Sequence, residues 1–123
     1  MTSSMLNYLF AIHKLCGENG EIRSVDIADE MHVARASVCK ALDRLTDNGL
    51  AYRDDSYKVR LTSKGEEVIG LYFTAHAFLS DVLTDKLSLS KENAEKEAVA
   101  VLGAMSPSTV KKLDLLAHGI REA

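Results

Sequence analysis

The sequence has no tryptophan, a single proline and only two cysteines in 123 residues. Two thiols, Cys16 and Cys39, are too few for a disulfide framework, so the fold must rest on its apolar core, and a reduced, cytoplasmic setting is expected. One proline and seven glycines exclude a disordered or fibrous chain. No apolar run approaches the roughly 20 residues of a membrane span, and "MTSSMLNYLF" lacks the basic segment and apolar core of a secretion signal. An excess of positive charge is missing as well: 15 Lys and Arg stand against 18 Asp and Glu, for a net charge of −3. Any contact with nucleic acid must therefore come from a local patch. Catalytic patterns are absent too. The four histidines show neither HxxxH nor HExxH spacing, and no phosphate loop, nucleophile–base arrangement or carboxylate pair is found, so an enzyme is not expected.

What is present is helical periodicity. Met5, Tyr8, Leu9, Ile12, Leu15 and Cys16 recur at three- and four-residue steps, which predicts an amphipathic helix over about Ser4–Cys16, capped by Ser3 or Ser4 and stopped between Gly17 and Gly20. A short helix capped by Ser24 follows, carrying Val25, Ile27, Ala28 and Met31. After the tight connection "HVA", "RASVCKALDRLTDNG" buries Val38, Ala41, Leu42 and Leu45 and stops at Asn48-Gly49. Two short helices across a short turn form a helix-turn-helix. The period then changes to two in "LAYRDDSYKVRLT". Tyr57, Val59 and Leu61 are expected on one side, Lys58 and Arg60 on the other, with a turn at Asp54-Asp55-Ser56. This is a small hairpin placed as a wing. The remainder reads as three helices, starting at Thr62/Ser63, at Ser90 and at Ser106-Pro107. The expected fold is mainly α with a small β-hairpin: a winged helix-turn-helix DNA-binding domain over residues 1–70 and a helical dimerisation domain over 71–123.

The second helix of the helix-turn-helix turns Arg35, Ala36, Ser37, Lys40 and Arg44 away from its buried stripe. Hydroxyls and long cations of this kind suit base edges and phosphates. Between Arg35 and Lys64 seven basic residues face four acidic ones, a local +3 inside a chain of −3. With Lys58 and Arg60 on the wing, these residues are the expected contacts to double-stranded DNA. A solvated charged face on a three-helix core is the plainer alternative. A winged-helix protein-interaction module is the other, separated from a DNA reader by salt-dependent binding to duplex. His13 and Cys16, three residues apart, are a weak hint of two metal ligands. Cys39 is expected to be a partly buried filler.

Five stretches, "YLFAIHKL", "DIADEMHVARASVCKALDRLTDNGL", "VRLTSKGEEV", "AHAFLSDVL" and "MSPSTVKKL", together resemble the DtxR/MntR family of metal-dependent transcriptional repressors, of the short manganese-regulator length. The resemblance runs from about Ser4 to Leu113. It implies a homodimeric winged-helix repressor on a palindromic operator, with manganese or iron(II) bound between the first helix and the dimerisation helices. The family's ligand positions match Asn7, Phe10, His76, Val99, Leu102 and Gly103. Only His76 is a retained metal ligand there. "EAVAVLGAM", Glu97 to Met105, is accordingly expected to face the first helix as an apolar plug where relatives hold an ion. A regulator that does without the usual manganese or iron site is expected. The alternative is a small-molecule site, or a relocated metal site using His13, Cys16, His76 or Glu95.

Overall fold

The computed structural model describes residues 1–119. Its elements are α1 Ser3–Asn19, α2 Ser24–Met31, α3 Arg35–Asp47, β1 Ala51–Arg53, β2 Val59–Leu61, α4 Ser63–Leu87, α5 Lys91–Ala104 and α6 Pro107–Ala117. The architecture is the one expected, helices with one two-stranded antiparallel hairpin. Residues 120–123, the end of the second expected domain, lie outside the described residues. The chain divides into two compact units, Asn7–Ile69 and Met1–Leu6 with Gly70–Ala123.

In the first unit the apolar stripes of three helices converge. Leu9, Ile12, Ile27, Val38 and Leu45 are completely buried, and Leu42 nearly so. Burying side chains of this size stabilises by roughly 1.5–3 kcal/mol each. α1 runs about one turn further than its apolar pattern. Gly17 continues the helix, and Gly20, at φ +75°, ends it by donating its N–H to the Cys16 carbonyl at 2.9 Å. Thr2 rather than Ser3 or Ser4 caps its start: the Thr2 hydroxyl accepts from the Met5 N–H at 3.1 Å. Ser24 likewise does not cap α2 but is its first residue. There the Asp26 carboxylate accepts from the Arg23 N–H at 2.8 Å, half of a capping box. The connection to α3 turns on His32, left-handed at φ +56°, and on the Val33 N–H, which donates to the Ala28 carbonyl at 3.1 Å.

After α3 the chain knots four pieces together over a few residues. The Leu50 N–H donates to the Leu45 carbonyl at 2.9 Å and the Thr62 N–H to the Leu50 carbonyl at 3.0 Å. The Thr62 hydroxyl donates to the Gly49 carbonyl at 2.6 Å and accepts from the Gly65 N–H at 2.9 Å, which caps α4. Lys64 Nζ donates to the Asn48 carbonyl at 3.0 Å, a cation on the negative end of the α3 dipole. A Cβ on Gly65 would stand 2.0 Å from the Leu50 carbonyl oxygen. The first turn of α4 thus lies directly on the backbone at the start of the hairpin.

The hairpin pairs Ala51 with Leu61, Tyr52 with Arg60 and Arg53 with Val59. Ile22 adds an isolated bridge to Val59. Val59 is buried, but the expected inward set does not extend to Tyr57. That side chain is 71% exposed, because Tyr57 belongs to the turn, at φ +62°, and not to the strand.

In the second unit Leu6, Tyr72, Ala75, Ala94, Ala98, Val99, Leu102 and Val110 are buried. Ser90 caps α5, accepting from the Asn93 N–H at 3.2 Å. Ser106 caps α6, with Pro107 at its first turn. "EAVAVLGAM" splits by face: Ala98, Val99 and Leu102 are buried, whereas Val101 is exposed. A Cβ on Gly103 would stand 2.5 Å from the Ser3 backbone nitrogen, so α5 meets the first turn of α1 backbone to backbone.

Gly65→Ala should lower stability by roughly 1–3 kcal/mol, the ordinary cost of overpacking. Gly17→Ala should raise it by about 0.5–1 kcal/mol, since nothing lies within 4 Å of a Cβ there. Urea unfolding of the two variants reads the difference. Equal midpoints would contradict the close approach of α4 to Leu50.

Candidate nucleic-acid interface

α3 buries Val38, Ala41, Leu42 and Leu45 and exposes Arg35, Ala36, Ser37, Lys40 and Arg44. The two sets follow from one fact, the 3.6-residue repeat with apolar residues at 38, 41, 42 and 45. The five predicted contacts therefore stand together on one exposed side of one helix. Its N-cap, Ala34, offers no side-chain hydrogen bond, unlike the serine caps of α5 and α6. The Ser37 N–H donates to the Ala34 carbonyl at 3.0 Å, and the N–H groups of Arg35 and Ala36 are left to solvent or to an anion such as a phosphate. More than two turns further along α3, Arg53 at the end of β1 reaches Asp43, Nη2 to Oδ1 at 3.6 Å, which ties the hairpin to the flank of the helix.

The wing differs from the sequence picture in one respect. Lys58 and Arg60 are both half-buried and both paired with protein carboxylates. Lys58 Nζ meets Glu21 Oε2 at 2.6 Å, and Arg60 Nε donates to Asp54 Oδ2 at 2.9 Å. Glu21 lies 37 residues before Lys58 in the chain, so no local pattern could reveal that pair. Asp54 organises the turn: its Oδ1 also accepts from the N–H groups of Ser56 at 2.8 Å and Lys58 at 3.0 Å. The Arg60 guanidinium, helped by those backbone donors, holds the Asp54 carboxyl below the usual carboxylate range. Glu21 is held down in the same way by Lys58.

The positions that a metal-dependent relative would use carry little that could bind an ion. In the second unit Val99 and Leu102 are buried hydrocarbon, and Gly103 has no room for any side chain. His76 is half-buried, and its Nε2 donates to the Glu95 backbone carbonyl at 3.1 Å. Asn7 and Phe10, in the first unit, add one amide and one hydrocarbon ring. Coordination of manganese or iron(II) needs several oxygen or nitrogen donors, and these residues do not fit such an ion. The four residues of the alternative site fall into two pairs, His13 and Cys16 in one unit, His76 and Glu95 in the other. His13 and Cys16 do line a common cleft of about 380 Å³ with Tyr52, Arg60 and Glu66. Burial pushes the Cys16 thiol up, away from the thiolate that binds metals. Among the described residues no three His, Cys, Asp or Glu side chains are gathered closely enough to hold an ion.

These elements define a winged helix-turn-helix protein with an appended helical unit. Residues 1–55 match the family model of the iron dependent repressor, N-terminal DNA binding domain. Nothing among curated proteins matches the chain. Solved structures do. The manganese regulator SloR is 25% identical over 96% of this chain and 55% of its own, with a TM-score of 0.76. The metal-dependent transcriptional regulator MtsR is 20% identical over 96% and 55%, at 0.78. IdeR of T. acidophilum is 22% identical over 94% and 54%, at 0.70. The chain spans about half the length of these relatives. The resemblance to the DtxR/MntR family is thus borne out in sequence over the DNA-binding region and in fold beyond it, and that family is one of transcriptional regulators, not enzymes. No helix among the described residues is long and apolar enough to cross a membrane.

The Asp54 network gives a pH dependence of definite sign. Its folded pKa lies below the unfolded value, so the stabilisation is present above the ordinary carboxylate pKa of about 3.9 and is lost as pH falls through the lower folded value. Urea midpoints measured from neutral pH down into that acid range should fall more steeply for the wild type than for Asp54→Asn. Parallel curves would show that Asp54 does not hold the wing.

Proposed function

We propose that this protein is a DNA-binding transcriptional repressor of the DtxR/MntR type that reads a palindromic operator as a homodimer and is not controlled through the family's manganese or iron site. The observation that carries the reading is the exposed side of α3, where Arg35, Ser37, Lys40 and Arg44 stand together beside an uncapped helix start. A major groove admits one such helix, with its N-terminal residues at the base edges. Lys40 lies nearer that end than Arg44, so Lys40 serves bases and Arg44 the phosphate backbone. With Lys58 and Arg60 held by carboxylates, the wing adds less net attraction than its sequence suggests. This reading carries a cytoplasmic location with it.

Dimerisation is supported by the second unit. Leu87 and Leu116 are exposed at 63% and 48%, apolar surface of the kind that a second copy would cover. The hydroxyl of Ser80 on α4 is buried without a hydrogen-bond partner. A second copy packed on these helices covers the apolar residues and sets two α3 helices one helical turn of DNA, or a multiple of it, apart. Independence from manganese or iron is supported by the filled positions on α5. Apolar side chains and a backbone contact hold α5 to the first turn of α1 without an ion.

The experiment is duplex binding by fluorescence anisotropy over a range of salt, in chelator and in manganese, with light scattering for the oligomeric state. A dimer with equal affinity in both media is expected. Lys40→Ala should cost about 1–3 kcal/mol on a selected site, the worth of a base contact. Arg44→Ala should weaken all duplexes alike and flatten the salt dependence by about one unit of slope. Unchanged affinity in both variants would remove α3 from the groove, and activation by manganese would overturn the ion-independent reading.

A further inference from the structure

The tip of the wing holds a residue that its own turn chemistry disfavours. Residues Asp54 to Tyr57 form a tight turn, closed by the Tyr57 N–H donating to the Asp54 carbonyl at 2.9 Å, and the Asp54 N–H donates to the Lys58 carbonyl at 2.9 Å. This is the three-residue hairpin loop whose last member sits in the left-handed region as a bulge, a position that favours glycine. Here it is Tyr57, at φ +62°. A bulky side chain in that region is an outlier and costs on the order of 1–3 kcal/mol. Local packing gives little back, because the ring is 71% exposed, the most exposed of the large apolar or aromatic residues among the described residues. The Asp54 carboxylate fixes the strained turn through Ser56, Lys58 and Arg60, so the ring projects from a rigid tip.

The strand that leads to the tip is also joined to the helix proposed to enter the groove. Arg53, the residue before the turn, contacts Asp43 of α3, and Asp43 lies one turn beyond Lys40 on that helix. The wing cations Arg53, Lys58 and Arg60 are already paired with carboxylates, and Asp55 at the tip is acidic. Whatever this tip does beside DNA, it does not do by attracting phosphates through charge. A tyrosine contacts the sugar–phosphate backbone without charge, its ring against a deoxyribose and its hydroxyl donating to a phosphate oxygen.

We infer that Tyr57 is a DNA-backbone contact, a neutral anchor that sets the wing against the strand flanking the groove occupied by α3. The inference rests on the DNA-binding reading above. It makes Tyr57 a residue whose strain is kept for binding, so replacing it should improve the fold and impair the function.

The test uses the full chain and a labelled mixed-sequence duplex long enough for two half-sites, followed by anisotropy across salt, with thermal unfolding of each variant. Tyr57→Gly and Tyr57→Asn, residues that accept the left-handed turn, should unfold at the wild-type temperature or higher and bind roughly fivefold more weakly, about the worth of one hydrogen bond. The slope of affinity against salt should not change, since no charge is removed. Tyr57→Phe, which loses only the hydroxyl, should keep the stability and lose part of the affinity. Wild-type affinity in the Gly and Asn variants would overturn the inference while leaving α3 as the reader. Loss of affinity in step with loss of stability would overturn it too, by making Tyr57 a structural residue. A wild-type protein that does not bind the duplex would instead overturn the DNA reading, and this inference with it.

Discussion

The structure of the Asn7–Ile69 unit depends on one close contact, the α4 backbone at Gly65 against the carbonyl of Leu50. Four hydrogen bonds surround that contact, joining Leu45 to Leu50, Leu50 to Thr62, Thr62 to Gly49 and Gly65 to Thr62. The end of α3, the first strand, the second strand and the start of α4 therefore meet at a single point. α3 can present a fixed face because its C-terminal end is held there, with Lys64 on the Asn48 carbonyl. The hairpin departs from the same place, so helix and wing share one anchor rather than two. Main-chain bonds in such a joint are insensitive to the identity of neighbouring side chains, which leaves the exposed side of α3 open to almost any set of contacts.

Charge is divided unequally between the two parts built on that anchor. On α3 Arg35, Lys40 and Arg44 stand on the exposed side. On the wing Lys58 and Arg60 are consumed by Glu21 and Asp54. Exposed pairs of this sort contribute little to stability, about 0–1 kcal/mol each, so their main effect is geometric. They fasten the segment between α1 and α2 to the second strand and fix the turn. In a protein with net charge −3, the hairpin cations Lys58 and Arg60 are in this way neutralised within the fold.

The helices, the helix-turn-helix and the hairpin were legible because each follows from a local period and a local stop: apolar residues at 38, 41, 42 and 45, Asn48-Gly49 after them, Pro107 behind Ser106. The exposed residues of α3 were legible for the same reason, as the complement of the buried stripe. Less visible were features decided by distant or unusual geometry. Thr2 displaced Ser3 and Ser4 as a cap because only the local fold selects among adjacent hydroxyls. Tyr57 looked like an inward strand residue because alternation cannot detect a bulge, which shifts the register by one. The pairing of Lys58 with Glu21 needed the third dimension. The burial of Val99 and Leu102 was readable from hydrophobicity, but the backbone contact between Gly103 and Ser3 was not, since a glycine in a helix announces nothing about what approaches it.

That last contact acts as a ratchet. With no gap between α5 and the first turn of α1 at Gly103, any larger residue at that position requires the helices to part before a donor atom can be placed. A carboxylate at position 102 would enter a site with no accessible surface and, until its co-ligands arrived, would be a buried charge without an ion. Each single step toward a metal centre is thus unfavourable on its own, although a complete set of donors would not be. Once a chain of this fold has closed these two helices on one another, stepwise substitution does not readily reopen them, and any new control over the protein has more room to arise elsewhere on its surface.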